Sequence, residues 1–377
     1  MPGPVNQLST WDFFPIFVAF SISLALSILI VTTSHWHLGR TARGHNGGEV
    51  QGIHTKPTPR VGGLTIFGGL LGSALITLEP GGHVLRLLVI ASLPVFIVGF
   101  LEDLSFGMSP LRRLFAAIAS VAIAIILTGA YVHETGITFL DASLDYRLVA
   151  VAITLLAVAG MSHGFNLIDG LNGLAGGVTI TMAAGLALIA LKVGYNEVAM
   201  IAIIIIAATV GFLVLNFPGG HLFLGDAGAY TIGFLLSFLA IMLVSANPQV
   251  SIFSLILCGF WPFIDTMAAI ARRVTTGRSV GEPDRLHFHH LTMRLVKAVS
   301  GKKRSKVFMN SFSSFILLPV YSLPVVLAVI SYDNLELSAV YLCIMTLLYF
   351  VNRLLIFHGI RFVKSARRHS EQELASH

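Results

Sequence analysis

Charge is scarce in this chain. Only 11% of its 377 residues are Asp, Glu, Lys or Arg, against roughly 25% in soluble domains. That scarcity excludes a soluble domain of any size. Cysteine is nearly absent. Cys258 and Cys343 both fall inside apolar runs, which excludes a disulfide framework and a cysteine metal site. The first residues carry neither a basic stretch nor a small-residue cleavage site, so Phe14 to Thr33 reads as a retained helix, not a removable leader. Internal repeats and low-complexity tracts are also missing. The longest polar stretch, 272–309, is a basic loop in which a short helix is expected around 287–298.

What fills the chain is hydrophobic: 55% of residues, with a mean hydropathy of +0.84. A spanning helix needs about 20 mostly apolar residues. Barrel strands would be shorter and alternating. The runs predict an all-α polytopic membrane protein with eleven helices, at 12–33, 61–79, 86–101, 114–132, 147–162, 174–192, 197–216, 229–246, 251–271, 310–330 and 336–357. Residues 1–377 then form one integral membrane domain, with a basic loop at 272–309 and a tail at 358–377. Of the 24 Lys and Arg, all but Arg86, Arg147, Lys192 and Arg353 fall on one side of this layout. The positive-inside rule makes that side cytoplasmic. The N-terminus is then outside and the C-terminus inside, as an odd helix number requires. The expected location is a bacterial inner membrane. The net charge of +6 is read as a topology signal, and no nucleic-acid partner is expected.

The unusual polar residues gather on the predicted cytoplasmic side, in five separate stretches. A carboxylate close to lipid is costly and marks a candidate functional site. KPTPRVGG carries Lys56 and Arg60 beside two prolines and two glycines. It suits an anion, although taken alone it reads first as a rigid helix entry with Arg60 reaching lipid phosphate. GFLEDLSFGMSPLRRL places Glu102 and Asp103 at a helix end and Arg112 and Arg113 at the next helix start. Adjacent acids repel unless a cation or proton intervenes, so they fit metal holding, base chemistry or a solvated cap. HGFNLIDGLNGLAGG puts Asn166, Asp169 and Asn172 three residues apart among glycines. One helical turn would align them, while the glycines alone would suit tight helix packing. NFPGGHLFLGDAGAY carries Asn216 and Asp226, where Asp226 is either a helix cap or a ligand for a hard cation. PFIDTMAAIARR and GEPDRLHFHHL supply Asp265, Arg285, His287, His289 and His290. Three close histidines suggest zinc, but no spaced partner completes such a site. Phosphate contact and proton handling fit them better. Acids, cations and histidines together at a lipid surface suggest phosphoryl transfer.

These stretches, in this order, resemble the polyprenyl-phosphate N-acetylhexosamine-1-phosphate transferases, glycosyltransferase family 4, which also holds the phospho-MurNAc-pentapeptide transferases. The resemblance runs from about residue 55 to 292. It implies a phosphotransferase that passes a sugar-1-phosphate, GlcNAc-1-phosphate by default, from a UDP-N-acetylhexosamine to undecaprenyl phosphate. UMP leaves, and the product starts a surface polysaccharide such as an O-antigen or a teichoic acid. Magnesium is the implied cofactor, with manganese as substitute, and a homodimer is compatible. By motif position, Glu102 and Asp103 match the acidic pair, Asp169 the first acid of an Asn-Asp-Asp loop, and Asp226 the metal carboxylate, with help from Asp103. Lys56, Arg60, Asn166, Asn172, Asn216, Arg285, His287, His289 and His290 are the implied substrate-binding set. Two positions depart. Glu102 stands where Asp is usual, and Asn172 stands where the second loop acid is expected. Asn172 keeps an oxygen but cannot act as a base. The chain could instead be a transporter with intramembrane carboxylates, a lipid-binding scaffold, or an enzyme of the pentapeptide type.

Overall fold

Lipid offers no partner to a backbone N–H or C=O, so each apolar run must satisfy its own backbone by closing into a helix. The computed structural model describes residues 13–42, 57–77, 80–277, 286–300 and 304–375 and, among them, contains helices and no strand. The helices are α1 (Phe13–Thr32), α2 (Ser34–Thr41), α3 (Gly62–Ile76), α4 (Pro80–Asp103), α5 (Pro110–Thr128), α6 (Thr138–Leu144), α7 (Arg147–Ile168), α8 (Leu174–Lys192), α9 (Asn196–Asn216), α10 (Gly225–Ala246), α11 (Ile252–Cys258), α12 (Phe260–Thr275), α13 (Phe288–Ser300), α14 (Lys306–Ile330) and α15 (Leu335–Ala375).

Among the described residues, nine of these are long and apolar enough to cross a membrane. The α11–α12 pair adds a tenth only as a broken span, bent by 85°. The predicted segment 251–271 therefore exists but is not straight, and the break falls at Gly259. The predicted 61–79 is a 15-residue helix, α3, too short to pass the same length test. Its polar Pro-rich entry and Thr77 trim both ends. The last predicted segment, 336–357, continues as helix to Ala375, because nothing after the membrane portion breaks it. α13 forms inside the predicted basic loop, where the short helix around 287–298 is expected.

Local chemistry sets several helix ends. Ser109 caps α5 by accepting from the Arg112 N–H, Pro110 opens the first turn, and Gly129 closes it with a left-handed backbone. Inside α4, Pro94 interrupts the backbone ladder, and the Val95 N–H turns instead to Ser120 Oγ at 3.1 Å.

α10 is the axis of the molecule. Its spanning stretch is wholly buried in protein, packed by α7, α4 and α3, with α8 and α5 beyond. Helices in lipid associate through close packing, since lipid is as apolar as the side chains. Small residues allow this. A Cβ on Gly63 would lie 2.1 Å from the Gly228 nitrogen, and one on Gly99 2.7 Å from Ala227 Cα. Both glycines thus let α3 and α4 press against the first turn of α10, where the candidate site begins.

Candidate functional site

The N-terminus of α10 is built from three distant pieces of sequence. The stretch Pro59 to Gly63 runs beside Phe223 and Leu224 and pairs with their backbone. Phe223 N–H donates to Pro59 at 2.9 Å, Gly62 N–H to Phe223 at 2.8 Å and Gly63 N–H to Leu224 at 2.7 Å. Asp103, the last residue of α4, then reaches the open helix end. Its Oδ1 accepts the Asp226 N–H at 2.8 Å and its Oδ2 the Ala227 N–H at 2.9 Å. Unsatisfied N–H groups and the positive helix end both favour a carboxylate there. The pocket for it depends on Gly225, whose φ is +75° and whose Cβ would sit 2.6 Å from Asp103 Oδ2 and 2.0 Å from the Arg60 carbonyl oxygen. Asp103 is thus the cap of a helix that begins more than a hundred residues later.

That cap holds Asp226 in place. Arg113 Nη1 donates to Asp226 Oδ2 at 2.6 Å, and Asn166 Nδ2 donates to Oδ1 at 3.0 Å. The guanidinium also lies over the Tyr230 ring, 5.9 Å from its centre. His163 meets the same ring edge to face at 4.9 Å. Arg113 Nε and His163 Nε2 are buried and make no hydrogen bond. They are polar atoms at the site that a substrate can satisfy.

Asn166 and Asp169 come from the end of α7. Asp169 leaves the helical conformation at φ −77°, ψ 59°, and Gly173 starts α8 from a left-handed backbone at φ +77°. The helical alignment expected for Asn166, Asp169 and Asn172 is therefore broken at Asp169. Burial pushes the Asp169 carboxyl up to about 7, and Asp226 adds to the rise, while Arg60 opposes it. Asn172 and Asn216 are both buried and knit backbone together. The Asn172 N–H donates to Asn310 Oδ1 at 2.7 Å, and its Nδ2 donates to the Pro218 carbonyl at 3.3 Å. Asn216 Oδ1 accepts the Gly173 N–H at 2.7 Å, and its Nδ2 donates to the Leu222 carbonyl at 2.7 Å. Glu102 accepts the Met108 N–H and closes the turn after α4.

The histidines lie alongside. A Cβ on Gly170 would meet His289 Nε2 at 2.4 Å and His290 Cε1 at 3.4 Å, so the Asp169–Gly170 turn is pressed against them. His289 is fully buried and neither ring nitrogen makes a hydrogen bond. Burial, followed by the neighbouring His290 and His287, holds its pKa well below the usual value. His287 is gripped by Asp265 at 2.8 Å through Nδ1.

The fold thus gathers Asp103, Asp226, Asn166, Asp169 and Arg60 at one end of the bundle, with His287, His289 and His290 beside them. Asn172 and Asn216 support the loops behind. Lys56 and Arg285 lie outside the described residues. Sequence reading passed over Arg113, His163 and Asn310 as site or supporting residues. Arg113 stood one residue from Arg112 in a helix start, with nothing local to mark which of the two turns inward.

The donor set can be weighed for a magnesium ion. Among the described residues no three His, Cys, Asp or Glu are grouped to hold a metal by themselves, so a closed zinc-type site is not formed. Magnesium is commonly held by one or two carboxylates, with substrate phosphates and water completing the shell. Asp226, beside the Asn166 amide and near Asp169, supplies that kind of donor. Asp103 accepts one backbone N–H on each oxygen, as Asp226 accepts Arg113 and Asn166, and each of these oxygens keeps a further lone pair for a cation.

Residues 85–244 match the family model described as Glycosyl transferase family 4. The chain is 30% identical over 282 residues to a probable undecaprenyl-phosphate N-acetylglucosaminyl 1-phosphate transferase of Bacillus subtilis, covering 74% of this chain and 77% of that one. It is 31% identical over 248 residues to an undecaprenyl-phosphate alpha-N-acetylglucosaminyl 1-phosphate transferase of Yersinia pestis, covering 64% and 67%. It is 29% identical over 290 residues to a phospho-N-acetylmuramoyl-pentapeptide-transferase of Staphylococcus carnosus, covering 72% and 88%.

Proposed function

The chain belongs to glycosyl transferase family 4, and on that premise we propose that it transfers GlcNAc-1-phosphate from UDP-GlcNAc to undecaprenyl phosphate, releasing UMP. The observation that carries this reading is the buried Asp226 carboxylate, held between Arg113 and Asn166 at the capped start of α10. The B. subtilis and Y. pestis relatives, both named as N-acetylglucosaminyl 1-phosphate transferases, support GlcNAc as the donor sugar. The product would begin a surface polysaccharide, and the site would face the cytoplasm of a bacterial inner membrane, as the placement of Lys and Arg favours.

The reaction is an in-line displacement. The acceptor phosphomonoester has a second pKa near 6, so at neutral pH it is mostly dianionic and already a nucleophile. An oxygen of that phosphate attacks the sugar-linked phosphorus of the donor, and the bond to UMP breaks. The difficulty is bringing two anions together. Arg113 and Arg60 offer positive charge to them, and the buried Arg113 Nε is an unused donor. Asn166 fixes the orientation of Asp226. Any residual acceptor proton falls to Asp169, since Asp103 is engaged by backbone and Asn172 cannot take it. A carboxyl of pKa about 7 is suited to that task at neutral pH. Asp226 would hold a magnesium ion, which when bound neutralises phosphate oxygens and eases departure of UMP. The prenyl chain stays in lipid.

The test uses membranes containing the protein, UDP-GlcNAc, undecaprenyl phosphate and magnesium. Lipid-linked GlcNAc-phosphate and UMP should appear in equal amounts. Product from another UDP-amino sugar alone would move the assignment to that donor. No product with any UDP-amino sugar, or UDP-MurNAc-pentapeptide, would overturn the reading.

A further inference from the structure

Asp265 is an ionisable residue outside the Asp226 cluster, on α12 just past the 85° break. It is 1% exposed, and isolated burial of a carboxylate is costly. The cost is met by three donors from two separate parts of the chain. His287 Nδ1 lies 2.8 Å from Oδ2, while Oδ1 accepts the Phe288 N–H at 3.2 Å and the Tyr349 hydroxyl at 2.7 Å. Tyr349 in turn meets Arg353 Nη1 at 3.5 Å. An aromatic wall closes the surroundings. Trp261 stacks on Tyr321 at 4.1 Å, and Phe288 lies 5.0 Å from Trp261 and 5.7 Å from Tyr349. Charged hydrogen bonds are strong when water is kept away.

We propose that Asp265, with Tyr349 behind it, is a positioning residue that fixes the ring and tautomer of His287 for contact with the donor diphosphate. An Asp265 carboxylate can only accept, so it requires a hydrogen on Nδ1. The opposite nitrogen, Nε2, is thereby assigned: bare in the neutral ring, a donor in the imidazolium. The same logic, a carboxylate setting the other nitrogen of a working histidine, recurs in metal sites and catalytic triads. Geometry supports the target. The His287 and His289 rings stack at 5.8 Å, and His289 abuts the turn that carries Asp169. The inference rests on the phosphotransfer reading for what His287 contacts. It does not rest on it for the tautomer.

Asp265→Asn separates this role from simple bracing. Asparagine keeps the size and one acceptor, but its amide would present hydrogens to His287 and favour the reverse tautomer. Turnover should fall about 10–100-fold with protein level in the membrane unchanged. His287→Ala combined with Asp265→Asn should be no slower than His287→Ala alone. Losses that multiply would overturn the proposal, because a mere brace acts independently of the imidazole. Nitrogen-15 histidine spectra of the full chain in detergent give a second readout that needs no activity. The resonance lost in His287→Ala should show hydrogen on Nδ1 in the parent, and the reverse or a mixture in Asp265→Asn. An unchanged His287 resonance in Asp265→Asn would also overturn it. A parent that makes no lipid product but shows the tautomer change would sink the phosphotransfer reading and keep the pair.

Discussion

At the scale of single residues, carboxylates that look alike in sequence take different parts. Asp103 caps a helix, Asp226 carries the charge of the site, Asp169 is raised to about 7, and Glu102 closes a turn. Asp226→Asn should lower transfer by about 100-fold or more while leaving the protein folded in the membrane. Wild-type turnover in the lipid-product assay would refute its role. Asp169 allows a prediction of opposite sign for stability. Its folded pKa lies above the ordinary carboxylate value, so the folded state binds a proton that the unfolded chain releases. Stability from this group is therefore present at acid pH and declines as pH rises toward 7. Asp169→Asn removes that penalty. The variant should melt a few degrees above the parent at pH 8, and the gap should shrink toward pH 5, by thermal unfolding in detergent. A lower melting point at pH 8 would contradict the assignment. The carboxylates themselves were legible in the sequence, because each is an expensive residue near lipid. Their division of labour was not. Nothing local to Asp103 says that its partners are the N–H groups of Asp226 and Ala227.

At the scale of elements, the spanning helices were legible because each must satisfy its backbone alone. Segments 174–192 and 197–216 were found nearly to the residue. The break at Gly259 was not, since the apolar run continues through it. Nor was the extent of α15, whose polar end keeps helix-forming residues without lipid around them. The junction of α3, α4 and α10 carries a sharper expectation. Gly63→Ala would drive a methyl to 2.1 Å from backbone nitrogen, and backbone cannot swing aside as a side chain can. We expect a loss of roughly 1–3 kcal/mol or more and a clear fall in monodisperse protein on size-exclusion chromatography. Gly160→Ala, where a Cβ meets nothing within 4 Å, should behave as the parent.

At the scale of the whole molecule, orientation is the feature that sequence charge alone argues. If the basic loops face inward, an impermeant maleimide added to intact cells should label Glu134→Cys and leave Arg112→Cys untouched until the membrane is opened. The reverse pattern would invert the topology and put the site outside. Cys258 is buried and should stay silent, while Cys343 is exposed, so both variants are made with Cys343→Ser. The wholly buried α10 has a further consequence, for how the protein is made. The helices packed most heavily on it, α7, α4 and α3, all precede it in the chain. When the ribosome delivers α10, its neighbours are already in the bilayer, and its first turn can be received by Asp103 and Arg113 as it enters. A helix with Asp226 at its head then need never be exposed to lipid. Moving its coding segment ahead of α3 should leave it without a reception, and a degraded product, not a misplaced helix, is the expected result in pulse-chase labelling.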